Sequence, residues 1–148
     1  MNFGVKLDTN GTNPKRLKSL LAGGLVDYVA MDYKVPSSKM ERVCGGSFSV
    51  ERVQESLRFL IDKEVDHEIR TTVVPGIHKL DDMDTIAKEI GGAKIWVLQR
   101  FRGKGVNGEI FVGERGLHLL DEKDFDENFL HELQERYSRF FPQVKVRG

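Results

Sequence analysis

Charged and hydroxyl side chains follow two of the short extended runs in this sequence. The first run ends in Asp8 and Thr9, just before the turn residues Asn10-Gly11, and the second ends in Asp32, followed by Lys34. Carboxylate and hydroxyl oxygens are hard ligands that suit a simple cation, and a lysine suits a carboxylate or phosphate. These residues therefore predict a site for a small charged ligand.

Two later runs add an arginine and an aromatic ring. Arg70 lies in a β-rich run that breaks at Pro75-Gly76, with His78 just beyond, and Phe101 follows the fourth run. Together with Lys34, Arg70 is expected to hold a carboxylate or phosphate. Phe101 is expected to stack on an aromatic ring of the ligand.

Alternating strands and helices would bring these residues together. Strands are predicted over residues 3–7, 27–33, 67–74 and 94–98, with amphipathic helices between them. This alternation predicts βαβ units in a parallel sheet, where the carboxyl ends of the strands share one edge. Four parallel strands cannot close a barrel. The predicted fold is therefore α/β, a partial (β/α) barrel or open half-barrel of about four parallel strands.

The chain changes in character after residue 102. Residues 109–120 are typical of a loose hairpin or an irregular loop, residues 126–140 of a helix, and residues 144–147 of a last short strand. We therefore expect a single domain over residues 1–148. Its half-barrel would cover residues 1–102 and a carboxyl-terminal extension residues 103–148.

Each of the candidate residues also has a purely structural interpretation, which is the commoner one for such a feature taken singly. The segment from Asp8 to Gly11 has ordinary turn chemistry. Asp32 and Arg70 are able to form an ion pair that fixes two strands, and His78 fits a loop histidine. Cys44 fits a small apolar residue in a linker. The residues alone leave both interpretations open.

The composition of the chain excludes or disfavours several classes of function. The 23 Lys and Arg residues balance the 23 Asp and Glu residues, which disfavours a general binder of nucleic acid or anionic membrane. Mean hydropathy is −0.39, and no apolar run approaches the ~20 residues of a membrane span. The single cysteine, Cys44, excludes an internal disulfide and favours a cytoplasmic setting. One cysteine also cannot supply the several thiolates of an iron–sulfur cluster.

Three motifs in order resemble one family. Residues 6–11 (KLDTNG), 26–34 (VDYVAMDYK) and 70–76 (RTTVVPG) are similar to segments of the radical SAM activating enzymes of glycyl-radical proteins. The nearest members activate anaerobic ribonucleoside-triphosphate reductase or pyruvate formate-lyase. The resemblance extends to the ending at residues 140–148 and is thinnest over 103–127. It implies a six-stranded partial barrel, of which this chain would supply strands three to six.

The resemblance also implies roles for the candidate residues. Asp8, Thr9 and Asp32 would lie beside bound S-adenosylmethionine, where one branch of the family holds a monovalent cation. Lys34 would contact the methionine carboxylate, and Arg70 would precede the family's VVPG turn within the cofactor site. Phe101 would stand near the adenine, where one branch carries a histidine.

Two family motifs are missing from the sequence. The CxxxCxxC cluster motif and the glycine-rich GGE segment would both precede Met1. The resemblance therefore implies the carboxyl-terminal part of an activase, inactive alone, that contributes cofactor and partner binding. Its implied partners are a cluster-bearing amino-terminal chain, a second copy of itself and a glycyl-radical enzyme. The alternatives are a non-enzymatic half-barrel used for binding or assembly, and an α/β domain that binds phosphate through residues 100–104.

Overall fold

Five strands form one parallel sheet in their order along the chain. The computed structural model describes residues 3–45, 48–74, 77–101 and 127–148. The strands are Lys6–Thr9 (β1), Tyr28–Asp32 (β2), His67–Val73 (β3), Ile95–Arg100 (β4) and Gln143–Arg147 (β5). The helices are Pro14–Ala22 (α1), Ser37–Cys44 (α2), Val50–Asp62 (α3), Leu80–Glu89 (α4) and Glu127–Tyr137 (α5).

The sheet is open and runs β1-β2-β3-β4-β5. The predicted α/β half-barrel is therefore confirmed. The last short strand, whose place the sequence left open, pairs in parallel with β4 and makes a fifth member of the sheet. The predicted hairpin or loop at 109–120 lies outside the described residues, and the boundary at 102 stays a prediction.

Local sequence explains where two of the helices begin. The side chain of Asn13 accepts a hydrogen bond from the Arg16 amide at 3.0 Å, directly before Pro14. Ser49 caps α3 in the same way, by accepting from the Arg52 amide at 3.4 Å. Side-chain caps satisfy amides that a helix leaves unpaired at its first turn. Both starts were predicted from these residue types.

Helix α2 was missed, because the segment around Cys44 was interpreted as a linker. Its amino-terminal cap comes from far along the chain: Glu89 accepts hydrogen bonds from the Ser37 amide at 2.9 Å and from the Ser37 hydroxyl at 2.5 Å. A carboxylate at a helix amino terminus is favourable. Met40 of this helix is buried in the core.

The hydrophobic core lies between the helices and one face of the sheet. Facing positions on successive strands, Met31, Ile69, Trp96 and Val144, all belong to it. Alternate residues of a strand point to opposite faces. The other face therefore carries Asp32, Arg70 and Lys145 at neighbouring register positions. Among the described helices, none is both long and apolar enough to span a bilayer.

Candidate functional site

Arg70 joins the carboxyl ends of the first three strands. It lies opposite Asp32 in the β2–β3 register, and its Nε donates to Asp32 Oδ1 at 2.8 Å. Its Nη1 donates to Asp8 Oδ2 at 3.0 Å. Burial opposes the charge of Arg70, but the hydrogen bonds that Arg70 donates to Asp8 and Asp32 outweigh this effect and raise the pKa of Arg70 above the usual value. Arg70 is therefore a fixed cation at this edge, and the ion pair considered from the sequence is present.

A cavity of about 490 Å³ opens beside this ion pair. Its charged and hydroxyl lining comes from Asp32, Lys34, Arg70 and Thr72, at the ends of β2 and β3. Phe101 lines it after β4, as parallel topology predicts. Ligand cavities commonly enclose roughly 300–1,000 Å³ and pair apolar walls with a few polar groups. The cavity therefore has the size and the mixed polar and apolar lining that are typical of a site for a small polar molecule.

The predicted residues divide into three groups. Asp32, Lys34, Arg70 and Phe101 line the cavity, and Asp8 is connected to them through Arg70. Thr9 stands apart from the lining residues. Its hydroxyl accepts a hydrogen bond from the Gly11 amide at 3.1 Å within the predicted turn.

At the predicted cation site, the positive charge comes from the side chain of Arg70. Arg70 bridges Asp8 and Asp32, two of its three predicted ligands. Within the described ranges, no group of three or more His, Cys, Asp or Glu side chains is placed to hold a metal ion. A monovalent cation held by Asp8, Thr9 and Asp32 stays a prediction.

The wall opposite the strand ends was not foreseen. Val43 and Cys44 of α2, and Phe48 after it, line the cavity. Burial raises the pKa of the Cys44 thiol, against the opposing charge of Lys34. The sequence had indicated that Cys44 lies in a loop. In the structure it ends α2 and belongs to the wall of the cavity. The three-residue spacing of Met40 and Val43 was the available signal for this helix.

A second ion cluster lies on the same face, two residues back along β3. Glu68 is only 2% exposed, yet it accepts hydrogen bonds from Lys6 at 3.3 Å and from the Tyr28 hydroxyl at 3.3 Å. Arg147 adds two bonds, at 3.0 and 2.9 Å. Burial favours the neutral acid, but Arg147 and Lys6 outweigh it and lower the pKa of Glu68. Burial, followed by the charge of Glu68, raises the pKa of Tyr28 to about 12.

The fold has a counterpart among solved structures of activating enzymes. A domain of a pyruvate-formate lyase-activating enzyme from Bacteroides vulgatus matches the chain with a TM-score of 0.68. The match covers 99% of this chain and 82% of that one, at 10% sequence identity. At that identity the likeness shows the fold alone. No family model matches the sequence.

A sequence relative agrees with this structural likeness. A protein of Methanocaldococcus jannaschii described as a glycyl-radical enzyme activating enzyme is 33% identical to the chain over 149 residues. The alignment covers 98% of this chain but 59% of the relative, so the chain spans less than two thirds of that protein's length. The resemblance to glycyl-radical activating enzymes, drawn from the motifs, is confirmed.

Proposed function

We propose that this chain forms the cofactor-binding, carboxyl-terminal portion of a radical SAM activating enzyme for a glycyl-radical protein. The observation that carries the proposal is the cavity that joins Asp32, Lys34, Arg70 and Phe101 at the carboxyl edge of the sheet. The relative's described activity supports the same assignment.

The chemistry of the lining fits S-adenosylmethionine. The cofactor carries a carboxylate, an ammonium group, a sulfonium and an adenine ring. Lys34 offers a cation for the carboxylate, and Asp32 offers an anion on the side of the positive groups. Phe48 and Phe101 offer aromatic faces for the adenine. When bound, the cofactor would supply the sulfonium whose carbon–sulfur bond is cleaved by an electron from the cluster.

The residues of this sequence do not fit the iron–sulfur cluster. The sequence contains one cysteine, whereas a [4Fe-4S] cluster with an open iron needs three thiolates. The thiolates would therefore come from a cluster-bearing segment that this sequence does not include. In this proposal the chain binds and orients the cofactor and presents it to that segment.

The edge of β1 is the proposed place for that segment. In the described part of the chain, β1 pairs with β2 on one side alone. Phe3 and Val5, which lead into β1, are exposed. A bare strand edge favours pairing with another strand. The occupant would be a strand of the cluster-bearing segment or, without it, a second copy of this chain.

Sedimentation velocity tests this proposal about the edge. The purified chain should show a dimer whose fraction grows with concentration, and Val5→Asp should shift it toward monomer. Lys145→Asp, at an exposed position on the opposite edge strand, is the control and should leave the dimer in place. A monomer at high micromolar concentration would contradict the proposal.

The activated partner proposed from the resemblance is an anaerobic ribonucleoside-triphosphate reductase. A non-enzymatic assembly module is the second candidate, and one observation favours it. The charges of Asp8, Asp32 and Arg70 are already satisfied by one another, as they would be in a purely structural network.

Calorimetric titration with S-adenosylmethionine separates the two candidates. The cofactor site as proposed is shared with the cluster-bearing segment, so the lone chain should bind weakly, with a Kd above ~100 µM. Lys34→Met should abolish measurable binding, whereas Lys145→Met, which changes an exposed lysine on β5, should leave it unchanged. Equal binding by both variants would favour the assembly module.

A further inference from the structure

His78 connects the two loops that follow β2 and β3. Its side chain is buried, with the residue 7% exposed. Nδ1 accepts a hydrogen bond from the Val74 amide at 2.9 Å, and Nε2 lies 2.7 Å from the carbonyl oxygen of Lys34. The backbone amide of His78 also donates to the Val74 carbonyl, at 3.0 Å. One imidazole thus bridges the two loops, with a contact from His78 to Lys34 that spans 44 residues of sequence.

These two partners define the tautomer of the ring. A backbone amide can only donate, so Nδ1 must be unprotonated when it faces Val74. A carbonyl can only accept, so Nε2 must carry the proton that it donates to Lys34. The neutral Nε2–H tautomer is the single form that satisfies both contacts. Burial lowers the pKa of His78, which supports the neutral form.

The contact to Lys34 lies directly after the last hydrogen bonds that attach this segment to β3. The Tyr33 amide donates to the Arg70 carbonyl at 2.8 Å, and the Tyr33 carbonyl accepts from the Thr71 hydroxyl at 2.8 Å. Lys34 is the next residue, beyond the end of β2, and its carbonyl is bound by His78. The same lysine lines the cavity.

We propose that His78 is a positioning residue that fixes the backbone of Lys34 and so holds the lysine ammonium group at the cavity. The ligand assigned to that ammonium group, the carboxylate of S-adenosylmethionine, rests on the proposed function. His78 also makes the loop after β2 move together with the loop after β3. Two lining residues that follow different strands, Lys34 and Val74, thereby keep one relative position.

Other charged groups surround the imidazole from neighbouring helices. Asp82 of α4 and Lys39 of α2 form an ion pair at 2.5 Å. Asp82 favours the charged imidazole and Lys39 disfavours it, so their effects on His78 oppose each other. Lys34 itself contacts the imidazole of His78 through its backbone carbonyl.

Two substitutions separate the two contacts of the ring. In His78→Asn, the shorter amide is able to accept from Val74 but cannot reach the Lys34 carbonyl. In His78→Gln, the longer side chain places its NH2 group near the position of Nε2 and keeps the contact to Lys34. His131→Asn, on the exposed side of α5, is the matched control.

The first measurement does not depend on any ligand. Long-range proton–nitrogen spectra of the wild-type chain should show His78 with Nδ1 bare and Nε2 protonated. The amide signals of Lys34 and Val35 should shift or broaden in His78→Asn and stay close to wild type in His78→Gln. A wild-type Nδ1–H tautomer would overturn the proposal, as would unchanged Lys34 and Val35 signals in a folded His78→Asn variant.

The second measurement is the affinity for S-adenosylmethionine. His78→Asn should weaken binding about fivefold to tenfold, the loss expected from one misplaced charged contact, and His78→Gln should restore most of it. A merely structural role would weaken binding in both variants in proportion to their loss of stability. Failure of the wild-type chain to bind the cofactor would contradict the proposed function, while the tautomer and amide signals would still decide the role of His78.

Discussion

Arg147 donates two nearly parallel hydrogen bonds to Glu68, at 3.0 and 2.9 Å, across the strand that separates them in the sheet. Arg147 ends β5, and Glu68 lies on β3. The pair therefore spans β4 on the face opposite the helices and covers part of it. Because Lys6 of β1 binds the same carboxylate, one buried glutamate connects the two edge strands.

Removing this arginine should destabilise the fold. Arg147→Met would leave Glu68 with Lys6 and Tyr28 alone. The arginine side chain is 43% exposed, so solvent already screens part of the interaction. We expect a loss of about 1–2 kcal/mol in the free energy of unfolding. Lys145→Met, on the same face of β5, should change it by less than about 0.5 kcal/mol. Urea unfolding measures both, and equal losses would contradict the role given to Arg147.

Two adjacent phenylalanines after α5 should differ strongly in their effect on stability. Phe141 is 5% exposed and its ring lies 5.4 Å from that of Trp96, whereas Phe140 is 68% exposed. Phe141→Ala should cost about 3–5 kcal/mol, because it opens a cavity in the core. Phe140→Ala should cost less than about 1 kcal/mol. Urea unfolding followed by fluorescence of Trp96, the chain's one tryptophan, gives both values. Similar losses would show that Phe141 is not packed against Trp96 as described.

A side chain at Gly11, in the turn after β1, should destabilise the fold. Its φ is +74°, and an added Cβ would collide with the end of the buried Met31 side chain. Gly24 has a similar φ of +64°, but nothing lies within 4 Å of its Cβ position. Gly24→Ala should cost about 1–2 kcal/mol through backbone strain alone. Gly11→Ala should cost about 1–3 kcal/mol more, because the core must also shift. Thermal unfolding of the two variants tests the difference, which should vanish if Met31 lies elsewhere.

Acid should weaken the fold first through its buried histidines. Burial lowers the pKa of His67 and of His78 in the folded chain. The unfolded chain therefore binds more protons than the folded chain below about pH 6.5. The free energy of unfolding decreases as the pH decreases in that range. The stabilisation that comes from keeping these histidines neutral is complete above about pH 6.5. It is lost as the pH falls through their lowered pKa values in the folded chain. Urea midpoints should be level from pH 8 to 7 and decline from 6.5 to 5. A midpoint that rises on acidification would contradict this account.

The variants at position 78 refine that test. Replacing His78 by Gln removes one of the two buried histidines in the described part of the chain, so the decline between pH 6.5 and 5 should become shallower. His131→Asn should keep the wild-type slope, because His131 is exposed. The carboxylate of Glu68, whose pKa is lowered mainly by Arg147 and Lys6 against the effect of burial, should add a second decline below about pH 4.5.

Local sequence features predicted most of the fold and the residues at the strand ends. Periodicity and turn residues predicted the strands, and parallel topology then placed Asp32, Arg70 and Phe101 at one edge. Two other pairings over long separations were not predicted. Helix α2 is capped by Glu89, 52 residues from Ser37, and Arg147 reaches Glu68 from 79 residues away. No local pattern records such contacts, because they exist only after the sheet has formed.

His78 shows the same limit within the site. The sequence placed it after the Pro75-Gly76 break as an ordinary loop residue. Its role depends on Val74 and on the carbonyl of Lys34, which β2 and β3 bring within reach. A histidine in a loop gives no sign of such a bridge until the neighbouring strand end is known.

The most direct test of the central claim is where S-adenosylmethionine binds on the 148-residue chain. Amide proton–nitrogen spectra recorded during a titration with the cofactor would map that position. We predict saturable shifts concentrated on residues 32–35, 70–74 and 99–101, with a Kd above ~100 µM. The absence of saturable shifts would contradict the account, as would shifts confined to a separate cavity that Asp84, Arg136 and Phe140 line.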